Sequence, residues 1–193
     1  MRSLVWPFLI LQMAVLSSNS FAEQDVAGMK IPYDAKFQIK PDTAKAWLSR
    51  ASPIVRGNIL TLEIYEAPPP PGLLEIRLMK VQYVASLQGN IDGSVSSSMD
   101  GIALLEGITN AKHSVIKKKV SGHDARQASF EANRNGGRLG AEFLVVYDKR
   151  RNVLYQLQLI FGRKKGLNLF DDLKLETERK AAKDLLATIS FLE

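Results

Sequence analysis

The chain has two histidines, His113 and His123, and imidazole is a common metal ligand and general base near neutral pH. Ser121-Gly122 predicts a two-residue hairpin turn with Val120 opposite His123. Counting back along the two strands sets His113 opposite Phe130. The imidazoles then stand seven residues apart along the ladder, about 23 Å at the rise of a β-strand. This separation excludes a metal ion shared by both histidines.

Other catalytic patterns are weak. A site built from His123, Asp124 and one more carboxylate stays open, beside the simpler interpretation of a turn histidine next to a carboxylate. The serines at positions 94, 96, 97 and 98 are candidate nucleophiles, but serines at a helix start are usually caps or solvated. The chain has no cysteine and no Gly-x-Ser-x-Gly, His-Glu-x-x-His, Walker A or Gly-x-Gly-x-x-Gly motif. We therefore predict no catalytic residue, no metal site and no cofactor, and we expect a protein that is not an enzyme.

Basic residues give a clearer pattern, because they recur at predicted turns. Three runs carry them, Lys117-Lys118-Lys119, Lys149-Arg150-Arg151 and Arg163-Lys164-Lys165, with Arg134 and Arg138 between. Successive turns of an antiparallel meander alternate between the two ends of the sheet. One end would gather Lys118, Lys119, His123, Arg150 and Arg151, and the other Arg134, Arg138, Arg163, Lys164 and Lys165.

These basic ends are the predicted binding surfaces. We expect one or both to contact phospholipid headgroups, lipopolysaccharide phosphates or an acidic protein. The candidate residues are Lys118, Lys119, Arg150, Arg151, Arg163, Lys164 and Lys165. The alternative is that cations in turns keep the sheet ends soluble and block edge pairing. Nucleic acid is not an expected partner, because the basic runs lack interleaved aromatic residues and residues 1–22 have the pattern of an export signal.

The second half of the chain predicts the elements that position these turns. Alternating apolar residues indicate four strands, at 114–120, 125–132, 139–147 and 153–161. Ser121-Gly122, the Asn135-Gly136-Gly137 region and residues 148–152 supply short turns, which predict an antiparallel meander. A closing helix is predicted over 171–190, with its solvent face formed by Glu176, Glu178, Arg179, Lys180 and Lys183.

The first half predicts a mixture of elements. Short and longer strands are expected at 37–39, 59–65 and 73–86, a helical turn after Pro41, and a stiff connection at Pro68 to Pro71. From Ser94 to Thr109 apolar residues recur every three to four positions, which predicts a helix capped by Gly93-Ser94.

This order of elements resembles the PsbP-like fold family, which includes the extrinsic photosystem II protein and periplasmic proteins such as DcrB. The matching features are Gly122-x-x-Ala125 leading into a strand, the Leu154-Tyr155-x-Leu157 strand and a closing helix that ends at Phe191. The resemblance covers residues 36–193, although residues 50–72, which include the proline tract, depart from the family pattern. It implies an α+β fold, an antiparallel β-sheet flanked by helices on both faces as an α/β/α sandwich. Members act mostly as binding or assembly factors without a shared catalytic set, so the resemblance carries no functional residue over.

Residues 1–22 predict a secretory signal peptide. Arg2 is followed by an apolar run from Leu4 to Leu16, and Ser20-Phe21-Ala22 fits the small-x-small cleavage pattern. Residues 23–35 are expected to be a flexible lead-in, and 36–193 a single domain. Since the chain has neither cysteine nor an Asn-x-Ser/Thr acceptor, we expect export to a bacterial periplasm.

Two functions follow as expectations. The first is a periplasmic, non-enzymatic binding or assembly-accessory protein that uses its basic sheet ends to contact an anionic envelope component or an acidic protein. The second is a small-ligand carrier or hydrolase with a pocket between the sheet and the helix at 94–108.

Overall fold

A computed structural model describes residues 24–32, 36–84, 91–103, 108–134, 137–163 and 169–191. The protein is a mixed α+β structure with antiparallel sheets. Its elements are β1 (Gln24–Val26), β2 (Met29–Ile31), β3 (Gln38–Ile39), α1 (Pro41–Arg50), α2 (Pro53–Asn58), β4 (Ile59–Ala67), β5 (Glu75–Tyr83), α3 (Ile91–Ala103), β6 (Ile108–Val120), β7 (His123–Arg134), β8 (Gly137–Asp148), β9 (Val153–Arg163), α4 (Leu169–Thr188) and β10 (Ser190–Phe191).

Seven strands form the main sheet in the order β3-β4-β5-β9-β8-β7-β6. The predicted meander is confirmed, since β6 to β9 pair consecutively and all pairs are antiparallel. A second meander, β3 to β5, joins the first where β5 pairs with β9, which sets Leu78 opposite Leu157. The pairing with β5 and β8 makes β9 the central strand of a continuous sheet, buried from Val153 to Leu159.

Helices cover the sheet on both faces. On one face, α4 buries Leu175, Ala182 and Leu186 in a cluster that also contains Leu157 and Phe161. On the other, α3 packs its apolar residues against the aromatic side chains of β7 and β8; the helix contributes Ile91, Val95 and Met99, and the sheet Phe130, Phe143 and Tyr147. Burial of this apolar surface on both faces is the main source of stability.

The prediction of a flexible lead-in is wrong for the part that the structure describes. Residues 24–31 form the hairpin β1–β2, in which Met29 and Ile31 are fully buried. Ala27 and Gly28 make the turn with φ of 56° and 92°, so the chain reverses within two residues. β10 extends this small sheet by pairing with β2, and Phe191 stands opposite Met29. The periodicity missed the hairpin because each strand has only three residues.

The helix predicted over 94–109 is shifted toward the N-terminus. It begins at Ile91, so Gly93-Ser94 lies inside its first turn and does not cap it. Ile108 and Thr109 belong to β6, which starts earlier than the alternation indicated. Ile108 fits the helical spacing by coincidence, because an apolar residue in a strand can extend a period of three or four. Leu105 lies outside the described residues.

Within the described part of the chain, no helix is both long and apolar enough to cross a membrane. The predicted signal peptide at 1–22 lies outside the described residues.

Candidate functional site

The turn between β6 and β7 is the two-residue turn predicted from the sequence. Ser121 and Gly122 both have positive φ, 46° and 81°, the combination that a tight hairpin requires. The hydroxyl of Ser121 accepts a hydrogen bond from the backbone N–H of Phe191 at 3.0 Å, which ties the turn to β10. The turn therefore holds the ends of both strands, with Lys119 and Asp124 directly opposite each other.

The turn between β8 and β9 is organised by Asp148. Its buried carboxylate accepts hydrogen bonds from the backbone N–H groups of Arg150 at 2.9 Å and Arg151 at 3.2 Å. Asn152 closes the turn in the left-handed region, with φ of 53°. The hydroxyl of Tyr147 donates to its side-chain oxygen at 2.7 Å. These bonds fix the backbone that carries Arg150 and Arg151.

The two turns lie at the same end of the sheet, as the sequence predicted. Asp124 connects them, because its carboxylate lies 2.7 Å from Lys119 Nζ and 3.3 Å from Lys149 Nζ. We call this surface the basic end. It consists of Lys118, Lys119, Lys149, Arg150 and Arg151 with the carboxylates of Asp124 and Asp148.

The positive charge of the basic end is only partly neutralised by its two carboxylates. Five cations face two carboxylates, which leaves a net charge of +3. Hydrogen bonds from Lys119 and then Lys149 hold the pKa of Asp124 below its usual value, so this carboxylate stays ionised. Arg151 pairs with Asp148 at 3.3 Å. The side chain of Arg150 is exposed.

The opposite sheet end lies only partly within the described residues. β9 runs to Arg163, whose backbone pairs with Arg138 of β8. The guanidinium of Arg138 forms a partly exposed ion pair with Glu131, which compensates its charge. Lys164 and Lys165 lie outside the described residues. Of the two sheet ends, only the first has all of its predicted basic residues within the described part of the chain.

The histidines lie where the hairpin register predicts. Val120 pairs with His123 and His113 pairs with Phe130, so the imidazoles remain seven residues apart along the ladder. The His123 ring lies 5.8 Å from the Phe191 ring, on the α4 side of the sheet. Ser94 and Ser96 lie in α3, which packs on the opposite side. Among the described residues, no three of His, Asp and Glu are placed to hold a metal ion.

A cleft that sequence analysis missed opens beside the basic end, with a volume of about 570 Å³. It lies between the β1–β2 turn and the sheet, lined by Ala27, Gly28, Lys80, Gln82, Arg151, Val153 and Tyr155. Lys80 and Tyr155 meet because β5 pairs with β9, a long-range contact without a local sequence signal. Burial raises the pKa of Tyr155, assisted by the negative charge of Asp148.

This cleft is not in the predicted place. The alternative function required a pocket between the sheet and the helix at 94–108, but Ile91, Val95 and Met99 are buried in that interface. Val153 and Tyr155, which line the cleft, belong to the cluster on the α4 face. The cations at the cleft are paired, Lys80 with Glu63 at 3.5 Å and Arg151 with Asp148.

Sequence analysis also missed a polar network beneath α4. Glu142 of β8 is fully buried, and it accepts a hydrogen bond from the Ser129 hydroxyl at 2.7 Å. Arg179 Nε and Lys183 Nζ lie 3.9 Å and 3.8 Å from its second oxygen. Burial raises the pKa of Glu142 despite these cations. The network fixes α4 on the sheet, which is a structural role.

The prediction that Glu178 and Arg179 form part of a solvent face is therefore wrong. Glu178 is 6% exposed, and the side chain of Arg179 is 15% exposed. Arg179 and Lys183 lie one helical turn apart, so their side chains share a face of α4. This spacing is the sequence feature that could have indicated a common buried carboxylate.

Comparisons with known proteins leave the family open. No protein-family model and no curated protein matches the chain. Among solved structures, the chain is similar to PA94, a protein of unknown function from Pseudomonas aeruginosa, with a TM-score of 0.38 and 14% sequence identity. That similarity covers 66% of this chain and 81% of the other.

Proposed function

We propose that the chain is an exported, periplasmic, non-enzymatic binding or assembly-accessory protein, whose basic end contacts an anionic partner. The partner is an anionic component of the cell envelope or an acidic protein. A PsbP-like sandwich is part of this proposal, in keeping with the antiparallel sheet and with helices on both of its faces.

The observation that carries the proposal is the joint position of the two basic turns. Lys119 and Lys149 come from different turns yet share Asp124, so the charges of both turns form one surface. Hydrogen bonds that the backbone N–H groups of Arg150 and Arg151 donate to Asp148 hold this backbone in place before any partner arrives. A group of cations with net positive charge attracts anions, and the fixed backbone that carries two of them loses little conformational freedom on binding.

The cleft supports a second candidate, a small-ligand carrier. Its volume of about 570 Å³ falls in the range of small-molecule sites, and Lys80, Arg151 and Tyr155 converge on it. To bind there, an anionic small molecule would have to displace the carboxylate of Glu63 from Lys80 and that of Asp148 from Arg151. Because both cations of the cleft are paired, whereas the basic end keeps a net charge of +3 after its ion pairs, we favour the exposed surface over the cleft.

Charge reversal tests the proposed function. The double variant Arg150→Glu/Arg151→Glu should weaken binding to dextran sulfate, a soluble polyanion, and lower the salt dependence of that binding. The matched control is Lys174→Glu/Lys180→Glu, which makes the same change in net charge at exposed positions of α4. Binding would be measured by isothermal titration calorimetry at several salt concentrations. Equal losses in both double variants would show that only net charge matters, and the proposed function would then be wrong.

A further inference from the structure

Four aliphatic side chains are exposed to solvent next to the basic end. The exposed fraction is 78% for Ile54, 39% for Val55, 59% for Leu60 and 64% for Val84. We call these four residues the apolar fringe. Single exposed aliphatic residues are ordinary on protein surfaces, whereas a group of them on adjoining segments marks a contact surface.

Local structure directs these side chains outward. Ser52 caps α2 by accepting a hydrogen bond from the Val55 N–H at 3.3 Å, and Pro53 follows at the first helical position. Every residue of this six-residue helix is exposed, so α2 projects from the body of the protein. Leu60 lies at a break in the β4–β5 register, and such an irregularity redirects a side chain away from the sheet.

Hydrogen bonds connect the apolar fringe to the basic end. The backbone N–H of Val84 donates to the carbonyl of Asn58, the last residue of α2, at 2.9 Å. The preceding residue, Tyr83, exchanges two bonds with Asn152: its N–H donates to the Asn152 carbonyl at 3.2 Å, and its carbonyl accepts from the Asn152 side chain at 3.0 Å. Asn152 belongs to the turn that carries Arg150 and Arg151, so the apolar fringe and the basic end form one continuous border of the sheet.

The segment that carries most of the apolar fringe is charged only by a basic residue. From Ala51 to Leu62 the sequence contains no acidic residue, and Arg56 lies on α2 among the aliphatic side chains. The combined surface thus presents cations beside projecting aliphatic groups. That pairing fits the boundary of an anionic bilayer, where phosphates meet the cations and acyl chains accept apolar side chains. A soluble polyanion offers the first contact but not the second.

We propose that the apolar fringe inserts into an anionic phospholipid surface while the basic end contacts the headgroup phosphates. This inference rests on the proposed function and names its partner. It gives a role to the exposed side chains of Ile54, Leu60 and Val84, which a purely electrostatic contact would not explain. An acidic protein is the competing partner.

Vesicle binding separates the two contributions. The measurement is a vesicle flotation assay. The full chain is expressed in cells, and the protein recovered after export is mixed with vesicles of phosphatidylcholine, with and without phosphatidylglycerol. We expect binding only to the phosphatidylglycerol vesicles. Ile54→Ser/Leu60→Ser should weaken it by about tenfold or more, since two aliphatic side chains lose their apolar contact. Arg150→Glu/Arg151→Glu should weaken it by about tenfold or more as well.

Matched controls keep the outcomes distinct. Leu74→Ser removes an aliphatic side chain that is 58% exposed and whose N–H bonds to Ile160, away from the basic end, and it should leave binding unchanged. The fringe variant should bind dextran sulfate like the wild type. If it also binds vesicles like the wild type, lipid insertion is overturned while the proposed function stands. Wild-type binding to dextran sulfate but to neither vesicle likewise overturns lipid insertion, and it points to an acidic protein. If the wild type binds no anionic probe, both proposals fail.

Discussion

Arg179 of α4 places its Nη2 2.6 Å from Oε2 of Glu131 in β7. The same guanidinium lies 5.9 Å from the centre of the Phe161 ring and 3.9 Å from buried Glu142. One side chain therefore joins the closing helix to three strands. This arrangement is a strong constraint on how α4 sits on the sheet.

Replacement of Arg179 by alanine should lower the free energy of unfolding by roughly 2–4 kcal/mol. The loss follows because Glu142 would keep its burial while losing one of its two nearby cations. Urea denaturation monitored by circular dichroism would measure it. Lys180→Ala is the control, because Lys180 pairs with Asp184 at an exposed position and should cost about 0.5 kcal/mol or less. Equal losses in the two variants would contradict the inferred role of Arg179.

Glu142→Gln should change how stability depends on pH. Burial raises the pKa of Glu142 above its usual value of 4.5, so the folded state favours the protonated carboxyl. The stabilisation from that preference is complete below pH 4.5 and is lost as the pH rises through the raised pKa. The variant lacks this titrating group, so we expect it to gain stability relative to the wild type as the pH rises from 4.5 through the raised pKa of Glu142. Denaturation curves across that range would measure the difference, and a wild type that gains on the variant would contradict the assignment.

Glu131→Gln should give the opposite dependence. Burial opposes ionisation of Glu131, but hydrogen bonds from Arg138 and Arg179 outweigh it and hold the pKa below 4.5. The stabilisation from ionised Glu131 is present above pH 4.5 and is lost as the pH falls through the lowered pKa. The wild type should therefore lose stability relative to the variant in acid. The same denaturation series measures both carboxylates. If the unfolding free energies of Glu131→Gln and wild type change with pH in parallel, the two ion pairs of Glu131 do not stabilise the fold.

Local sequence patterns predicted the second half of the sheet because its contacts are local. Ser121-Gly122 and the residues around Asp148 specify turns, and period-two alternation specifies the strands between them. The alternation of turns between the two sheet ends is enough to place Lys119 and Arg151 at the same end. The pairing of β5 with β9 has no such signal, because Leu78 and Leu157 lie 79 residues apart in the sequence.

What could not be predicted depends on that long-range pairing or on short elements. The cleft requires Lys80 to meet Tyr155, and the apolar fringe reaches the basic end only through Tyr83 and Asn152. The burial of Glu178 could not be predicted because it depends on a loop distant in the sequence, in which Gly72 approaches the Glu178 side chain. The basic residues were therefore predictable as a group, whereas their apolar neighbours were not.

Gly140→Ala tests the packing of the central strands. Gly140 pairs with Phe161, and a methyl group there would overlap Cε2 of the phenyl ring and stand 2.7 Å from Cζ. Phe161 is fully buried against α4, so the ring can move only by disturbing its neighbours. Overpacking of this kind costs about 1–3 kcal/mol of unfolding free energy. Gly57→Ala is the matched control, because a methyl group there meets no atom within 4 Å and replaces a helical glycine, which should leave stability unchanged or slightly raised. Urea denaturation of both variants decides the point, and a Gly140→Ala protein as stable as the wild type would mean that the Phe161 ring does not lie over β8.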